Sequence, residues 1–367
     1  MFCRYKKKII VDVVEEYILE FMTQRRQRVT LGRSRGPVTL HAPEQPKRNS
    51  TAAGPGPDKL SRSATFRSRT DVGGTEARTG QGEYSSISNT VQLTAGLPIV
   101  TPDGSDTRIR ISNGTTTRSD AVDPDMYHHA ARLPRHPWHL PNAVEMTALR
   151  AESSMASPMS FVAVVRPPAN LIEPLLALGA ELAQTRYQER LGIDPAHSPV
   201  VTEAAVALAK IFGSPNERTR TLGVGVNPPG RPTLTVSGSE NLRIGLHVDS
   251  WSKLPANKRF EAPNRLCINL GRDVRQLLFI NLPLRDIIAR LPGGTFDPCT
   301  SGATDLARAF MTYNPTYPVV AIEIAPGEAY VAPTEDLIHD GCSEGMKNND
   351  VCLTLLGYFS RPASRRR

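Results

Sequence analysis

Two histidines and one aspartate give the clearest chemical signal in this 367-residue sequence. His247 and Asp249 are two positions apart in a run of aliphatic and β-branched residues, so on a strand their side chains share one face. His339 lies 90 positions after the aspartate, next to another β-rich run. Two imidazoles and one carboxylate on one face suit Fe(II), because they hold the ion and leave positions open for a cosubstrate and O2.

The pair of His247 and Asp249 by itself also fits a core histidine that is hydrogen-bonded to its neighbour. Four features favour metal binding: the strand context, the Asp-Gly that follows His339, the closing apolar run from Val351 to Phe359, and the scarcity of histidine. Only three of the eight histidines lie beyond residue 150. We therefore predict a metal site built from His247, Asp249 and His339.

Short runs rich in β-branched and aliphatic residues, separated by turn residues, make up most of the chain after about residue 155. This pattern predicts a mainly β fold, an antiparallel barrel or sandwich. The leucines from Leu171 to Leu182 recur at helical spacing and predict a flanking helix. Further helices are predicted over 201–212, 284–291 and 305–311. The predicted strands are 160–165, 219–226, 233–237, 242–248, 265–270, 276–282, 319–324, 329–332 and 351–359.

Charge and composition divide the chain into two parts. Residues 1–150 contain 22 Lys and Arg against 15 Asp and Glu, whereas residues 151–367 contain 22 against 21. Residues 51–120 are rich in Ser, Thr and Gly, and such a segment cannot bury enough apolar area to offset its ordering entropy. We predict a mostly disordered basic arm over 1–150, a barrel domain over 155–362 and a basic tail over 363–367. Helical spacing over 8–24 predicts a short amphipathic helix, although isolated helices of this length are marginal.

Several classes of protein are disfavoured by composition. No run approaches 18 uninterrupted apolar residues, which argues against a transmembrane helix. The five cysteines include no CxxC pair, so we expect reduced thiols and a cytoplasmic protein without membrane partners. The nearly neutral charge of residues 151–367 argues against nucleic-acid binding by the barrel and leaves it open for the basic arm.

The HxD…H pattern resembles that of the Fe(II)/2-oxoglutarate-dependent dioxygenase superfamily, over about residues 219–360. The resemblance implies a double-stranded β-helix, which is a jelly-roll or cupin-like barrel, with His247, Asp249 and His339 as catalytic iron ligands. It also implies 2-oxoglutarate and O2 as cosubstrates of an oxidoreductase. Its substrate would be a small molecule, an amino acid or a peptide side chain. The aspartate at 249 favours hydroxylation or a related oxidation, because related halogenases have a small residue there.

The cosubstrate anchor departs from the most common family pattern. Many members use an Arg or Lys about ten residues after the distal histidine, but residues 347–351 contain no arginine. Arg361 follows the end of the last strand, roughly 33 Å along it from Val351 at about 3.3 Å per residue. A JmjC-like branch uses a basic residue on the strand after the HxD hairpin, and Arg275 matches that position.

We predict Arg275 as the anchor, with Arg265 on the preceding strand as second choice. A guanidinium presents a fork of donors that can bind a carboxylate through two hydrogen bonds. For each of the two residues, an ordinary solvated arginine beside a turn is the alternative.

A protein of another class is the main alternative. In this interpretation the chain is a non-catalytic jelly-roll or cupin binding protein whose basic arm contacts RNA or an acidic partner. The arginine content of the arm supports it, but the HxD…H set is then unexplained.

Overall fold

A computed structural model describes residues 92–184, 192–193, 198–215, 218–237, 240–293, 296–297 and 299–362. These residues form a mainly β fold with flanking helices, which confirms the predicted fold class. The strands in chain order are β1 (Ile99–Val100), β2 (Ile109–Ser112), β3 (Thr115–Thr117), β4 (Tyr127–Pro134), β5 (Trp138–His139), β6 (Val162–Val165), β7 (Gly192–Ile193), β8 (Arg220–Asn227), β9 (Arg243–Gly245), β10 (Asn264–Asn269), β11 (Arg275–Pro283), β12 (Val319–Ile324), β13 (Ala329–Ala332), β14 (Leu337–Cys342) and β15 (Asp350–Gly357). The α-helices are α1 (Ala143–Arg150), α2 (Ala169–Leu182), α3 (Pro199–Ile211), α4 (Leu284–Ala289) and α5 (Ala303–Tyr313).

Two antiparallel sheets share one core and form the jelly roll. The first has the central order β8, β15, β10, β13, and the second has the order β14, β11, β12. The segment after β9 completes the second sheet, because His247 pairs with His339 of β14. Consecutive strands fall mostly in opposite sheets, which is the arrangement of a double-stranded β-helix. Apolar side chains from both sheets pack together in the interior.

Successive residues on each strand of the first sheet face opposite sides of that sheet. On β10, Cys267 faces the core between the sheets, whereas Leu266 and Ile268 pack against the flanking helices. The helices α2 and α3 bury Leu175 and Leu208, among other residues, on that outer face. Covering the outer face in this way leaves the inner face of the sheet free to line a cavity.

The predicted domain boundary at residue 155 is wrong, because the fold begins further towards the N-terminus. Strand β2 pairs antiparallel with β12, and β5 pairs with β2 in turn. Ile109 and Ile111 of β2 are buried in the main core. A short apolar alternation inside a Ser/Thr-rich window was enough to form this strand, since it covers the edge of β12. Averaging composition over 70 residues concealed it.

Other sequence predictions differ from the structure in smaller ways. The strand predicted over 233–237 is reduced to a single bridge between Val236 and Arg243. The amphipathic helix predicted over 8–24, the rest of the arm up to residue 91 and the tail over 363–367 lie outside the described residues. Within the described part, no helix is both long enough and apolar enough to cross a membrane.

Candidate metal centre and adjoining cavity

Backbone pairing between neighbouring strands brings His247 and His339 next to each other. The amide of His247 donates to the carbonyl of His339 at 3.1 Å, and the amide of His339 donates back at 2.8 Å. The two residues therefore face each other across neighbouring strands, with ring centroids 4.9 Å apart. Asp249 lies two residues after His247 on the same face, as the strand period requires.

The three predicted ligands form one buried cluster. His247 Nε2 is 3.5 Å from Asp249 Oδ1, and His339 Nε2 is 3.6 Å from Asp249 Oδ2. One candidate ligand atom from each residue lies within 4.8 Å of the others. The exposed fractions of His247, Asp249 and His339 are 3%, 8% and 1%.

Backbone carbonyls fix the orientation of both imidazoles. His247 Nδ1 lies 2.9 Å from the carbonyl of Gly245, and His339 Nδ1 lies 3.1 Å from the carbonyl of Leu337. A carbonyl only accepts, so each Nδ1 carries a proton, and in the neutral form of each ring Nε2 presents a lone pair. Gly245 has a φ of +72°, and a Cβ there would lie 2.5 Å from the carbonyl oxygen of Arg132. Glycine is therefore required at the position that orients His247.

The electrostatics of the cluster favour a bound cation. Burial lowers the pKa of His339 to about 3, so its ring is neutral at ordinary pH. Its Nε2 is buried and has no hydrogen-bond partner among the described residues. The lone pair of a neutral nitrogen thus faces carboxylate oxygens. Two such acceptors cannot form a hydrogen bond with each other, but both can coordinate a metal ion. The donor set fits Fe(II).

Arg265 keeps the carboxylate of Asp249 charged. Its Nη2 donates to Asp249 Oδ2 at 2.5 Å. Burial favours the neutral carboxyl, but the Arg265 guanidinium and His247 outweigh burial and hold the pKa of Asp249 well below its usual range. Burial likewise opposes protonation of His247, but Asp249 and Asp340 outweigh it and raise the pKa of that histidine.

An ion pair that the sequence did not predict supports the HxD segment. Arg259 donates through Nη1 to Glu335 Oε2 at 2.7 Å and to the backbone carbonyl of Asp249 at 2.9 Å. Glu335 also accepts from the amide of Ser252, at 3.0 and 2.9 Å from its two oxygens. The pair is buried and ties the loop after Asp249 to the turn before β14. No spacing signal could have identified it, because Arg259 and Glu335 are far apart in the sequence.

Asp340 also supports the cluster, and it directly follows His339 in the sequence. Its Oδ1 accepts from the amide of Thr235 at 3.1 Å, from the hydroxyl of Thr235 at 2.9 Å and from the amide of Gly341 at 2.7 Å. Its Oδ2 lies 3.7 Å from His247 Nδ1. A carboxylate behind a ligating histidine fixes the ring and raises its basicity. Its position directly after His339 is the one sequence feature that could have indicated a supporting role for Asp340.

A cavity of about 390 Å³ adjoins Asp340 and contains both predicted cosubstrate anchors. Arg275 is buried, and its Nε lies 2.9 Å from Asp350 Oδ1. Gly341 makes room for it, since a Cβ there would lie 2.8 Å from Arg275 Nη2. The residues lining the cavity are Val226, Asn227, Leu234, Thr235, Val236, Arg265, Cys267, Arg275, Tyr330, Asp340, Gly341, Cys352 and Thr354. Neither Arg265 nor Arg275 is the solvated arginine of the alternative interpretation.

Arg361 lies elsewhere. It follows β15, is 42% exposed and pairs with Glu152. It does not belong to the described residues that line the cavity. Arg361 therefore lies away from the cavity, as the length of the last strand predicts.

Asp336, in the turn before β14, should make the stability of the fold depend on pH. Asp336 is buried, its Oδ1 accepts from the amide of Leu284 at 3.1 Å, and burial raises its pKa to about 7 from an ordinary 3.8. A raised carboxyl pKa means that the folded state binds the proton more tightly, so stability falls as pH rises from about 4 to about 7. Asp336→Asn should remove this loss.

Thermal unfolding of the Asp336→Asn variant and the parent, in parallel from pH 4 to pH 8, measures the effect. We expect equal Tm values near pH 4 and a variant several degrees more stable at pH 8. A difference that does not change with pH would show that folding does not raise the pKa of Asp336.

Comparison with known proteins gives several solved structures that are similar to part of this chain. No protein-family model matches the sequence, and no curated protein matches it. The epimerase SnoN in complex with Fe3+, alpha-ketoglutarate and nogalamycin RO is 13% identical, with a TM-score of 0.34 over 55% of this chain and 81% of that chain. The Kdo hydroxylase KdoO, a non-haem Fe(II) alpha-ketoglutarate-dependent dioxygenase in complex with cobalt(II), is 13% identical, with a TM-score of 0.31 over 55% and 80%. HygX from Streptomyces hygroscopicus with nickel and 2-oxoglutarate bound is 12% identical, with a TM-score of 0.28 over 54% and 82%.

Two features of the chain itself agree with the expectations from the sequence, the strand order and the candidate metal centre. Its two sheets have the alternating order of a double-stranded β-helix, and a buried His-Asp-His cluster lies where the segment after β9 meets β14. This strand order and these three residues are the fold and the cluster that the resemblance of the HxD…H motif to the Fe(II)/2-oxoglutarate-dependent dioxygenase superfamily implied.

Proposed function

We propose that this protein is an Fe(II)/2-oxoglutarate-dependent oxygenase that hydroxylates, or otherwise oxidises, a small molecule, an amino acid or a peptide side chain. The observation that carries the proposal is the buried cluster in which neutral His339 Nε2, without a hydrogen-bond partner among the described residues, faces charged Asp249. The nearly neutral charge of residues 151–367 supports a substrate other than a nucleic acid.

His247 Nε2, a carboxylate oxygen of Asp249 and His339 Nε2 would hold the iron. When bound, the iron supplies the redox chemistry with O2 that protein side chains lack. The chain provides preorganisation, because the carbonyls of Gly245 and Leu337 already hold both imidazoles with Nε2 towards Asp249. The low exposure of all three ligands excludes bulk water from the centre.

The cavity beside the cluster would bind 2-oxoglutarate. This cosubstrate is a dianion, and the cavity presents two guanidinium groups, that of the buried Arg275 and that of the partly buried Arg265. Arg275 is oriented by its ion pair with Asp350, and Arg265 by Asp249. The chain therefore offers one cation next to the metal ligands and a second on β11, which matches the two carboxylates of the cosubstrate.

A variant of Arg275 tests the anchor. Arg275→Met leaves Asp350 as a buried charge without its partner, so the variant is combined with Asp350→Asn to remove both. Losing a hydrogen bond to a charged group costs about 1.5 to 3 kcal/mol. At about 1.4 kcal/mol per decade, the dissociation constant for 2-oxoglutarate should rise roughly ten- to hundredfold. Isothermal titration of the metal-loaded protein measures the change.

The matched control is Arg361→Ala, at an exposed arginine away from the cavity, which should leave the constant unchanged. If the Arg275 variant binds 2-oxoglutarate like the parent while Arg265→Met does not, Arg265 is the anchor. If Arg361 governs binding, the placement of the cosubstrate in this cavity is wrong.

The function itself is tested with the purified full-length chain. We expect one equivalent of Fe(II) per chain, saturable binding of 2-oxoglutarate, and slow release of succinate in the presence of O2 even before the substrate is known. A chain that binds neither Fe(II) nor 2-oxoglutarate would contradict the proposal and favour the non-catalytic jelly-roll alternative.

A further inference from the structure

The thiols of Cys267 and Cys352 both lie in the wall of the cavity. Cys267 of β10 pairs with Thr354 of β15, and Cys352 pairs with Asn269. The two cysteines are thus diagonal neighbours on the same face of the sheet, and side chains at such positions are within reach of each other. Both line the cavity that holds Arg265 and Arg275. The described cysteines are free, so both sulfurs are available for chemistry.

The sulfur of Cys267 is surrounded by donors. Arg275 Nη1 donates to it at 3.0 Å, and the Thr354 hydroxyl donates to it at 3.6 Å. A cationic donor and a hydroxyl aimed at one sulfur stabilise a thiolate, which is the nucleophilic form of cysteine. The neighbouring Cys352 thiol, and then Arg275 and Arg265, outweigh burial and lower the pKa of Cys267 well below its ordinary value.

Two other cysteines of the described part of the chain, Cys342 and Cys299, provide a contrast. Cys342 is completely buried in the core, and burial raises the pKa of its thiol well above the usual range. Cys299 is exposed on the surface and does not line the cavity. Cys267 therefore has both an activating cation beside its sulfur and access through a cavity. Neither Cys342 nor Cys299 has both properties.

We propose that Cys267 is a modification site for small hydroperoxides, which reach it through the cavity. The Cys267 thiolate attacks one oxygen of hydrogen peroxide, an S–O bond forms, the O–O bond breaks and hydroxide leaves and takes a proton from water. Sulfur is oxidised by two electrons and the peroxide is reduced. The product is a sulfenic acid in contact with Arg275 and Thr354. Cys352 can condense with it, releasing water and forming a disulfide.

The modification would regulate the cosubstrate pocket, an inference that rests on the proposed function. The oxygen added to Cys267 would lie beside Arg275 Nη1, the group proposed to bind a 2-oxoglutarate carboxylate. It would compete for that donor and occupy part of the cavity. Oxidation should therefore weaken 2-oxoglutarate binding about tenfold or more, and treatment with dithiothreitol should restore it.

The test uses the full-length, metal-free protein, hydrogen peroxide and the sulfenic-acid probe dimedone, with peptide mass mapping. We expect Cys267 to form a dimedone adduct, or a disulfide with Cys352, at a peroxide concentration at least tenfold below that needed to modify Cys299. Cys342 should form no adduct. Cys267→Ser should abolish the low-peroxide product, and the matched variant Cys299→Ser should leave it unchanged. If Cys299 reacts first in the parent protein, or Cys267 does not react, the proposal is wrong, whatever the folding of the Cys267→Ser variant.

A second arm separates this proposal from the function. With Mn(II) in place of iron, 2-oxoglutarate should slow the modification of Cys267 and leave that of Cys299 unchanged. If Cys267 reacts but 2-oxoglutarate neither binds nor protects, the modification site stands and the cosubstrate assignment fails. If 2-oxoglutarate binds and is turned over but Cys267 resists peroxide, the function stands and the modification site fails.

Discussion

Replacing His339 with alanine should abolish Fe(II) retention and 2-oxoglutarate turnover while the chain remains folded. Its Nε2 has no hydrogen-bond partner among the described residues, so the substitution removes a ligand without breaking a side-chain network at that nitrogen. Only the contact of Nδ1 with the Leu337 carbonyl is lost on the other side of the ring. Asp249→Ala should have the same effect on iron at a greater cost in stability, because it leaves Arg265 without its carboxylate.

The measurement is iron content after gel filtration, together with succinate release and thermal unfolding. His139→Ala is the matched control, since His139 is 40% exposed and pairs with Glu145. It should retain iron like the parent. If the His339 and Asp249 variants both retain iron at the parent level, these residues are not the ligands and the proposed centre is wrong.

Replacing Arg259 with methionine should destabilise the fold and weaken iron binding together. The substitution leaves Glu335, which is completely buried, as an unpaired charge, and breaking a buried ion pair in this way costs about 3 to 5 kcal/mol. It also removes the hydrogen bond to the Asp249 carbonyl, so the HxD loop loses a support. Loss of such supporting contacts typically lowers metal affinity about 10- to 100-fold.

A double variant separates the two effects. Arg259→Met with Glu335→Leu removes both charges, and the free energy of unfolding should recover much of the loss while iron affinity stays low. Arg361→Ala, at the exposed pair with Glu152, should change stability by about 0 to 1 kcal/mol and serves as control. Urea unfolding and iron titration measure both quantities. Full recovery of iron affinity in the double variant would show that Arg259 acts only on stability.

Local sequence pattern was sufficient for most of the barrel strands. The runs over 319–324 and 329–332 coincide with β12 and β13, and those near 265–270 and 276–282 coincide with β10 and β11 to within a residue. These strands alternate or concentrate β-branched residues between turn residues, and that signal depends only on neighbouring positions. The pairing of β2 with β12 could not be predicted in the same way, because Ile109 and Val319 are separated by most of the chain.

The sequence by itself determined what depends on the backbone period: that His247 and Asp249 share a face, and that a β-rich fold carries them. The tertiary structure decided which distant groups meet them. It placed His339 opposite His247, Arg265 on Asp249, the Arg259–Glu335 pair behind the loop, and Arg275 between Asp350 and Cys267. The physical reason is that a strand period follows from local bond geometry, whereas the partner of a buried charge is chosen by which segments pack together to satisfy it.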